Sequence, residues 1–169
     1  MLQQNPAAQR KAKPPQVEDA KAPAPKYYKG NLHTHSLWSD GDDFPEMIAD
    51  WYKNHGYDFL GLSDHNILSD GHKWVDAGSD TGGEKSVRAK AVEKYAVRFG
   101  KDWVEKRVGK DKSDKEQNQV RLKPLREFRS LLEEPNKFLL VPAEEISASY
   151  NKKPIHMNAV NLRDLIQPL

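Results

Sequence analysis

His33 and His35 are separated by the single residue Thr34, and residues two apart on an extended chain project to the same side, so both imidazoles can reach one metal ion. The chain repeats this kind of chemistry. Asp64-His65 follows the apolar run Phe59-Leu60-Gly61-Leu62, and Glu144-Glu145 follows Phe138-Leu139-Leu140-Val141. His156 lies in a further segment, His156-Met157-Asn158-Ala159-Val160. With no cysteine in the chain, a disulfide scaffold, a thiolate zinc finger, an iron–sulfur cluster and a cysteine nucleophile are excluded, and any metal must sit on histidine and carboxylate. Taken singly, each cluster has a plainer explanation. Two histidines in a turn are ordinary polar surface, Ser63-Asp64-His65-Asn66 suits a turn with side chain to backbone hydrogen bonds, and adjacent glutamates suit the first turn of a helix. What predicts a site is the repetition at one edge, because parallel α/β folds build their sites where strands end. His55, beside Gly56, reads as the end of a helix, and His72 as a loop residue; neither is assigned to the site.

The elements that must carry these groups follow from the pattern. Tyr27 to His33 suits a strand, and Asp40-Gly41-Asp42-Asp43 supplies turn chemistry after it. Pro45 fits the first position of a helix with Met47, Ile48 and Trp51 at helical spacing, closed by Gly56. With Phe59–Leu62 behind it, this is a βαβ unit, which implies parallel strands. Between about residues 69 and 132 the chain is strongly charged. Val87, Ala91, Tyr95, Phe99 and Trp103 nevertheless recur every four residues and predict one long helix, and Gly109 to Gln119 reads as an exposed linker. A second helix is expected from near Pro124, with Leu125, Phe128, Leu131 and Leu132 inward. Phe138–Val141 and the segment around His156 complete four strands.

Composition sets the bounds. The chain has 169 residues, room for one modest domain and a tail. Residues 1 to about 26 are rich in Pro, Ala and Lys and read as a disordered leader, leaving 27–169 as the folded domain with its helical insertion at about 69–132. The net charge of +2 is uneven: the first 30 residues hold six Lys or Arg against two acids, so the remainder is −2. A folded part of that sign is not that of a phosphate-backbone binder, and nucleic acid is not expected as a partner. No apolar run reaches the roughly 20 residues of a membrane span, and the N-terminus lacks the apolar stretch of a secretory signal. The expectation is a soluble chain of undetermined compartment. Export is compatible with it, since leaders of this kind often follow a cleaved signal absent from this chain.

Leu32-His33-Thr34-His35-Ser36, Ser39-Asp40-Gly41, Leu62-Ser63-Asp64-His65-Asn66, Glu145-Ile146-Ser147 and His156, in this order, resemble the successive motifs of the PHP domain, the polymerase and histidinol phosphatase superfamily. The resemblance spans about residues 28 to 160, interrupted by the charged insertion. It implies an α/β fold, the N-terminal portion of a distorted (β/α)7 barrel. It also implies two or three divalent ions and hydrolysis of a phosphate ester. Residue by residue, it makes His33, His35, Asp40, His65, Glu145 and His156 metal ligands, with Glu145 bridging two ions and Glu144 as its alternative. Asp64, His65 and Glu145 become the catalytic group, Asp64 as the residue that orients a ligand or water.

Imidazole mixed with carboxylate suits zinc, manganese or iron better than magnesium. The reaction expected is two-metal hydrolysis of a phosphorylated substrate. Lys152, Lys153 and Arg163 are candidate phosphate contacts by sequence proximity alone. The PHP pattern continues beyond four strands with a further histidine and a late Asp-x-His pair that nothing after His156 matches. The expectation is therefore a truncated barrel with an unpaired edge, weak metal binding and little or no turnover by this chain alone. Two other readings stand beside it: an amidohydrolase-like metal hydrolase, which also places His-x-His after its first strand, and an inactive PHP-type binding or structural module.

Overall fold

Pro45 opens the first helix, α1 (Pro45–Asn54), at the position where a missing N–H leaves no intrahelical bond unmade. Gly56, at φ 71°, turns the chain out of it. The helix connects β1 (Gly30–Asn31) to β2 (Phe59–Leu62), and these strands pair in parallel in the register Gly30 to Phe59. β1 is shorter than the expected strand. Its flanks are held by other bonds: Asp58 N–H donates to Lys29 O at 2.6 Å and Ser63 N–H to Thr34 O at 2.8 Å. Gly30 leaves room for the Phe59 ring, which would have to shift for a Cβ that would stand 2.1 Å from its carbons. The computed structural model describes residues 24–81 and 84–168; the expected leader, residues 1–26, lies outside them except for its last three.

The chain is mixed α/β. Its main sheet has four strands in the order β1-β2-β8-β9, where β8 spans Leu139–Tyr150 and β9 Lys153–Val160. β2 and β8 are parallel, with Leu60 opposite Leu140. β8 and β9 are antiparallel, which departs from a strictly parallel barrel. The cause is local. Asn151 and Lys152 both have positive φ, 50° and 61°, the two-residue turn that matches strand twist and returns the chain along its predecessor. β8 is also far longer than the four-residue run expected, so Glu144 and Glu145 lie inside a strand and not beyond its end.

The segment expected as a helical insertion contains more strand than its charge suggests. β3 (Lys73–Asp76), β7 (Glu116–Leu122) and β6 (Lys106–Lys110) form an antiparallel sheet in the order β3-β7-β6, and β4 (Asp80–Thr81) pairs with β5 (Glu84–Lys85). The expected linker 109–119 is thus largely a hairpin, whose Asp111 carboxylate accepts the N–H groups of Ser113 and Lys115 at 2.7 and 2.9 Å. Its alternation was masked because only one face is covered: Val120 and Leu122 are buried while most of β6 faces solvent. The long helix ends early. α2 covers Val87–Phe99, capped by the Ser86 hydroxyl, and Gly100 at φ 93° stops it. Trp103 then folds back, its indole N–H donating to Tyr95 Oη at 2.7 Å.

Two apolar cores result. In one, Ala49 of α1 and Phe128 and Leu132 of α3 (Leu125–Leu132) cover Leu60, Leu62 and Leu140 of the sheet. In the other, Tyr95, Val120 and Leu122 of the insertion enclose Leu37, Trp38 and Phe44 from the loop between β1 and α1. Three expected inward residues face out: Trp51, Val87 and Leu131 are all at least half exposed. On α1 the buried positions are instead Pro45, Glu46 and Ala49.

Candidate metal centre

The loop after β1 carries His33, His35 and Asp40; the turn after β2 carries Asp64 and His65; adjacent antiparallel strands carry Glu145 and His156. All six expected ligands converge on one place. Glu145 is its hub. One of its carboxylate oxygens, Oε2, lies 3.1 Å from His33 Nε2, 2.6 Å from His35 Nε2 and 3.4 Å from His65 Nδ1. Its other oxygen contacts His156 Nδ1. On the outer side, Asp40 Oδ1 stands 2.8 Å from His35 Nδ1 and Oδ2 stands 3.4 Å from His65 Nε2.

These donors form three groups, each able to hold an ion: His33, His35 and Glu145; His35, Asp40 and His65; His65, Glu145 and His156. Within each group the ligand atoms lie within 4.8 Å of one another, close to twice a metal–ligand distance of about 2.0–2.2 Å. His35 Nε2 adds a second sign of fit. It is buried and makes no hydrogen bond although Glu145 Oε2 is 2.6 Å away. Two donors that approach without hydrogen-bond alignment suit a shared cation. The mixture of imidazole nitrogen and carboxylate oxygen suits zinc, manganese or iron.

The electrostatics are those of a coupled acid–histidine cluster. Burial acts to lower the pKa of His35, but its hydrogen bond to Asp40 and the carboxylate charges of Asp40 and Glu145 beside it outweigh this and hold it above the usual imidazole value. The His35 hydrogen bond holds Asp40 below the usual carboxylate range. Burial opposes ionisation of Glu145, and the surrounding histidines, His33 and His156 foremost, reverse that and depress its pKa.

Asp64 sits behind the donors and is fully buried. It accepts three hydrogen bonds: from the Ser36 N–H at 2.8 Å, the Ser36 hydroxyl at 2.7 Å and the Ser39 hydroxyl at 2.6 Å. Its oxygens are committed to the loop that carries His35 and Asp40, which makes it a positioning residue. Glu144 points away from the cluster: it is buried on the other face of β8 and accepts the Ile166 N–H at 2.7 Å. Alternation along a strand decides between the two glutamates in favour of Glu145.

Two positioning groups escaped the sequence reading. Ser147 Oγ lies 2.6 Å from His65 Nδ1, and the Asn66 side chain brackets Ser147 through its N–H and C=O at 2.8 and 3.0 Å. The signal available was the same i, i+2 rule that pairs His33 with His35, applied to Glu145 and Ser147. Lys152 and Lys153 stand at the hairpin turn, five or more residues along the ladder from the hub, a distance on the order of 17 Å. Arg163 lies beside Arg126 and Arg129 under α3. None of the three makes an ion pair with a candidate ligand among the described residues.

No family model, curated protein or solved structure matches this chain. No helix among the described residues is long and apolar enough to cross a membrane.

Proposed function

We propose that this chain carries the metal centre of a phosphoesterase of the PHP type, with two or three divalent ions held by His33, His35, Asp40, His65, Glu145 and His156. One observation carries the reading: a single nearly buried carboxylate, Glu145, is within 3.4 Å of three imidazoles and in contact with a fourth. Unpaired surface histidines have no reason to gather on one acid. The parallel β1-β2-β8 portion of the sheet is compatible with the start of a distorted (β/α)7 barrel, the fold the resemblance implies.

When bound, divalent ions supply a nucleophile at neutral pH and neutralise charge on phosphoryl oxygens. The protein's own part is to aim the donors. Asp64 fixes the Ser36–Ser39 turn, so that His35 and Asp40 face the hub; Ser147 fixes the ring of His65 by one nitrogen and leaves Nε2 toward Asp40. His33 and His156, at side-chain exposures of 56% and 45%, form the rim that a phosphate ester would reach first.

The test is metal content after dialysis against zinc or manganese, for this chain and its His33→Ala and His65→Ala variants, followed by a panel of phosphate esters, amides and lactones. The reading expects weakly bound metal that falls in both variants, with turnover by this chain alone slight and confined to phosphate esters. Amide or lactone cleavage without phosphatase activity would assign the centre to an amidohydrolase-like reaction. Bound metal without turnover of any ester would leave the inactive-module reading. Unchanged metal in both variants refutes the centre.

A further inference from the structure

A groove of about 1010 Å³ separates α2 from β6, in the insertion and away from the metal centre. Its floor is made of small aliphatic side chains, Ala77, Ala89, Val92, Ala96 and Val104. Its walls include Val97 and Val108, exposed at 82% and 66%. Exposed valines bordering an apolar floor form a surface that water covers poorly. The rim is cationic. Lys101 and Lys106 have no ion-pair partner among the described residues, Lys85 pairs with Glu93 at 2.8 Å, and Arg107 lies over the Trp74 ring at 4.2 Å. Four cations against the single carboxylate of Glu93 give the groove a positive field, although the folded part as a whole is slightly acidic.

β6 bounds this groove and is an edge strand. It pairs with β7 on one side and, among the described residues, with no strand on the other. Its outer backbone groups are therefore open to a further strand, apart from Lys110 O, which accepts the Gln119 amide N–H at 3.2 Å. We propose that this groove binds an extended peptide segment that alternates aliphatic and acidic residues and adds to β6 as a fourth strand. Alternate side chains of an added strand point to opposite faces, so aliphatic residues reach the Ala and Val floor while acidic residues reach the lysine rim. An acyl chain could use the apolar floor but leaves the backbone edge without partners. A nucleic acid could use the lysines, but no aromatic ring lines the groove on which bases could stack.

The probe is a fluorescein-labelled decapeptide of alternating valine and glutamate, followed by anisotropy, with a valine–lysine decapeptide and oligo-dT of similar length as comparisons. Binding of the glutamate peptide should exceed that of the lysine peptide by about tenfold or more and weaken as salt rises. The Lys101→Glu/Lys106→Glu variant changes only solvent-facing residues and should lose about tenfold in affinity. Amide hydrogen exchange in Lys106–Lys110 should slow on binding, the sign of backbone pairing that a purely electrostatic contact would not produce. The His33→Ala variant and removal of metal with a chelator should leave binding unchanged, which separates this surface from the metal centre. Equal affinity for the lysine peptide, tighter binding of the oligonucleotide, or unslowed exchange in β6 overturns the proposal.

Discussion

Asp64 accepts both the backbone N–H and the hydroxyl of Ser36, at 2.8 and 2.7 Å, across 28 residues of sequence. The bond pair joins the turn after β2 to the loop after β1, and with Ser39 it occupies a carboxylate that has no solvent contact. Asp64→Ala should therefore cost about 3 kcal/mol or more, since it strands buried donors that bond to a charge. Asp64→Asn, whose amide cannot accept from the Ser36 hydroxyl at one position, should cost less. Urea unfolding of both variants checks the order, and a loss within 0.5 kcal/mol for Asp64→Ala would show that the loop is held by other means.

Glu145 belongs to two of the three donor groups, and His33 and His156 to one each. Glu145→Gln should thus lower the number of ions retained per chain by more than His33→Ala or His156→Ala. Metal analysis of dialysed protein reads this directly. Equal losses in the three variants would mean that Glu145 does not bridge.

Glu46 provides a pH dependence outside the candidate metal centre. Burial raises its pKa from 4.5 to about 7, against the bonds from Tyr95 Oη at 2.5 Å and the more distant Trp103 indole at 3.3 Å and the field of Lys123. A carboxyl group raised on folding stabilises most below its unfolded value. That contribution falls as pH rises from about 4.5 and is gone a little above 7. Glu46→Gln keeps an acceptor for Tyr95 and cannot ionise, so the stability difference between pH 5 and pH 8 should shrink by about 3 kcal/mol in the variant. Denaturant unfolding at the two pH values measures it; identical pH slopes for the two proteins would show that Glu46 ionises freely.

Leu122 tests whether the insertion supports the loop that carries His35 and Asp40. It is fully buried in the core that also holds Leu37 and Trp38, which lie between His35 and Asp40 in sequence. Trp38 is tied to the insertion again through its indole N–H to Lys123 O at 3.4 Å and through Lys73 to its own carbonyl. Leu122→Ala should cost about 2–5 kcal/mol and also weaken metal retention at the His35, Asp40 and His65 group. Destabilisation with intact metal retention would mean that the loop keeps its shape without the insertion.

The legible part of this protein was its list of donors and its first βαβ unit. Histidine and carboxylate types cannot be mistaken, His33 and His35 stand at i, i+2, Asp64-His65 follows the end of β2, and Pro45 and Gly56 mark the helix between. Less legible was the insertion, because a hairpin covered on one face and bathed on the other writes its charges over the alternation that would reveal it. In the strand Leu139–Tyr150, Glu144 and Glu145 look in sequence like the end of the buried run that closes at Val141, yet they remain in the ladder because β9 returns to pair with them.

Sequence alone named the histidines and carboxylates as candidate cation donors and excluded cysteine sulfur from among them, since those follow from composition and short-range spacing. Tertiary structure decided which glutamate faces the histidines, what Asp64 does and which residues of the insertion anchor the loop. Each of those depends on contacts between segments 28 to 112 residues apart, and strand pairing and core packing, not local spacing, determine which distant groups meet.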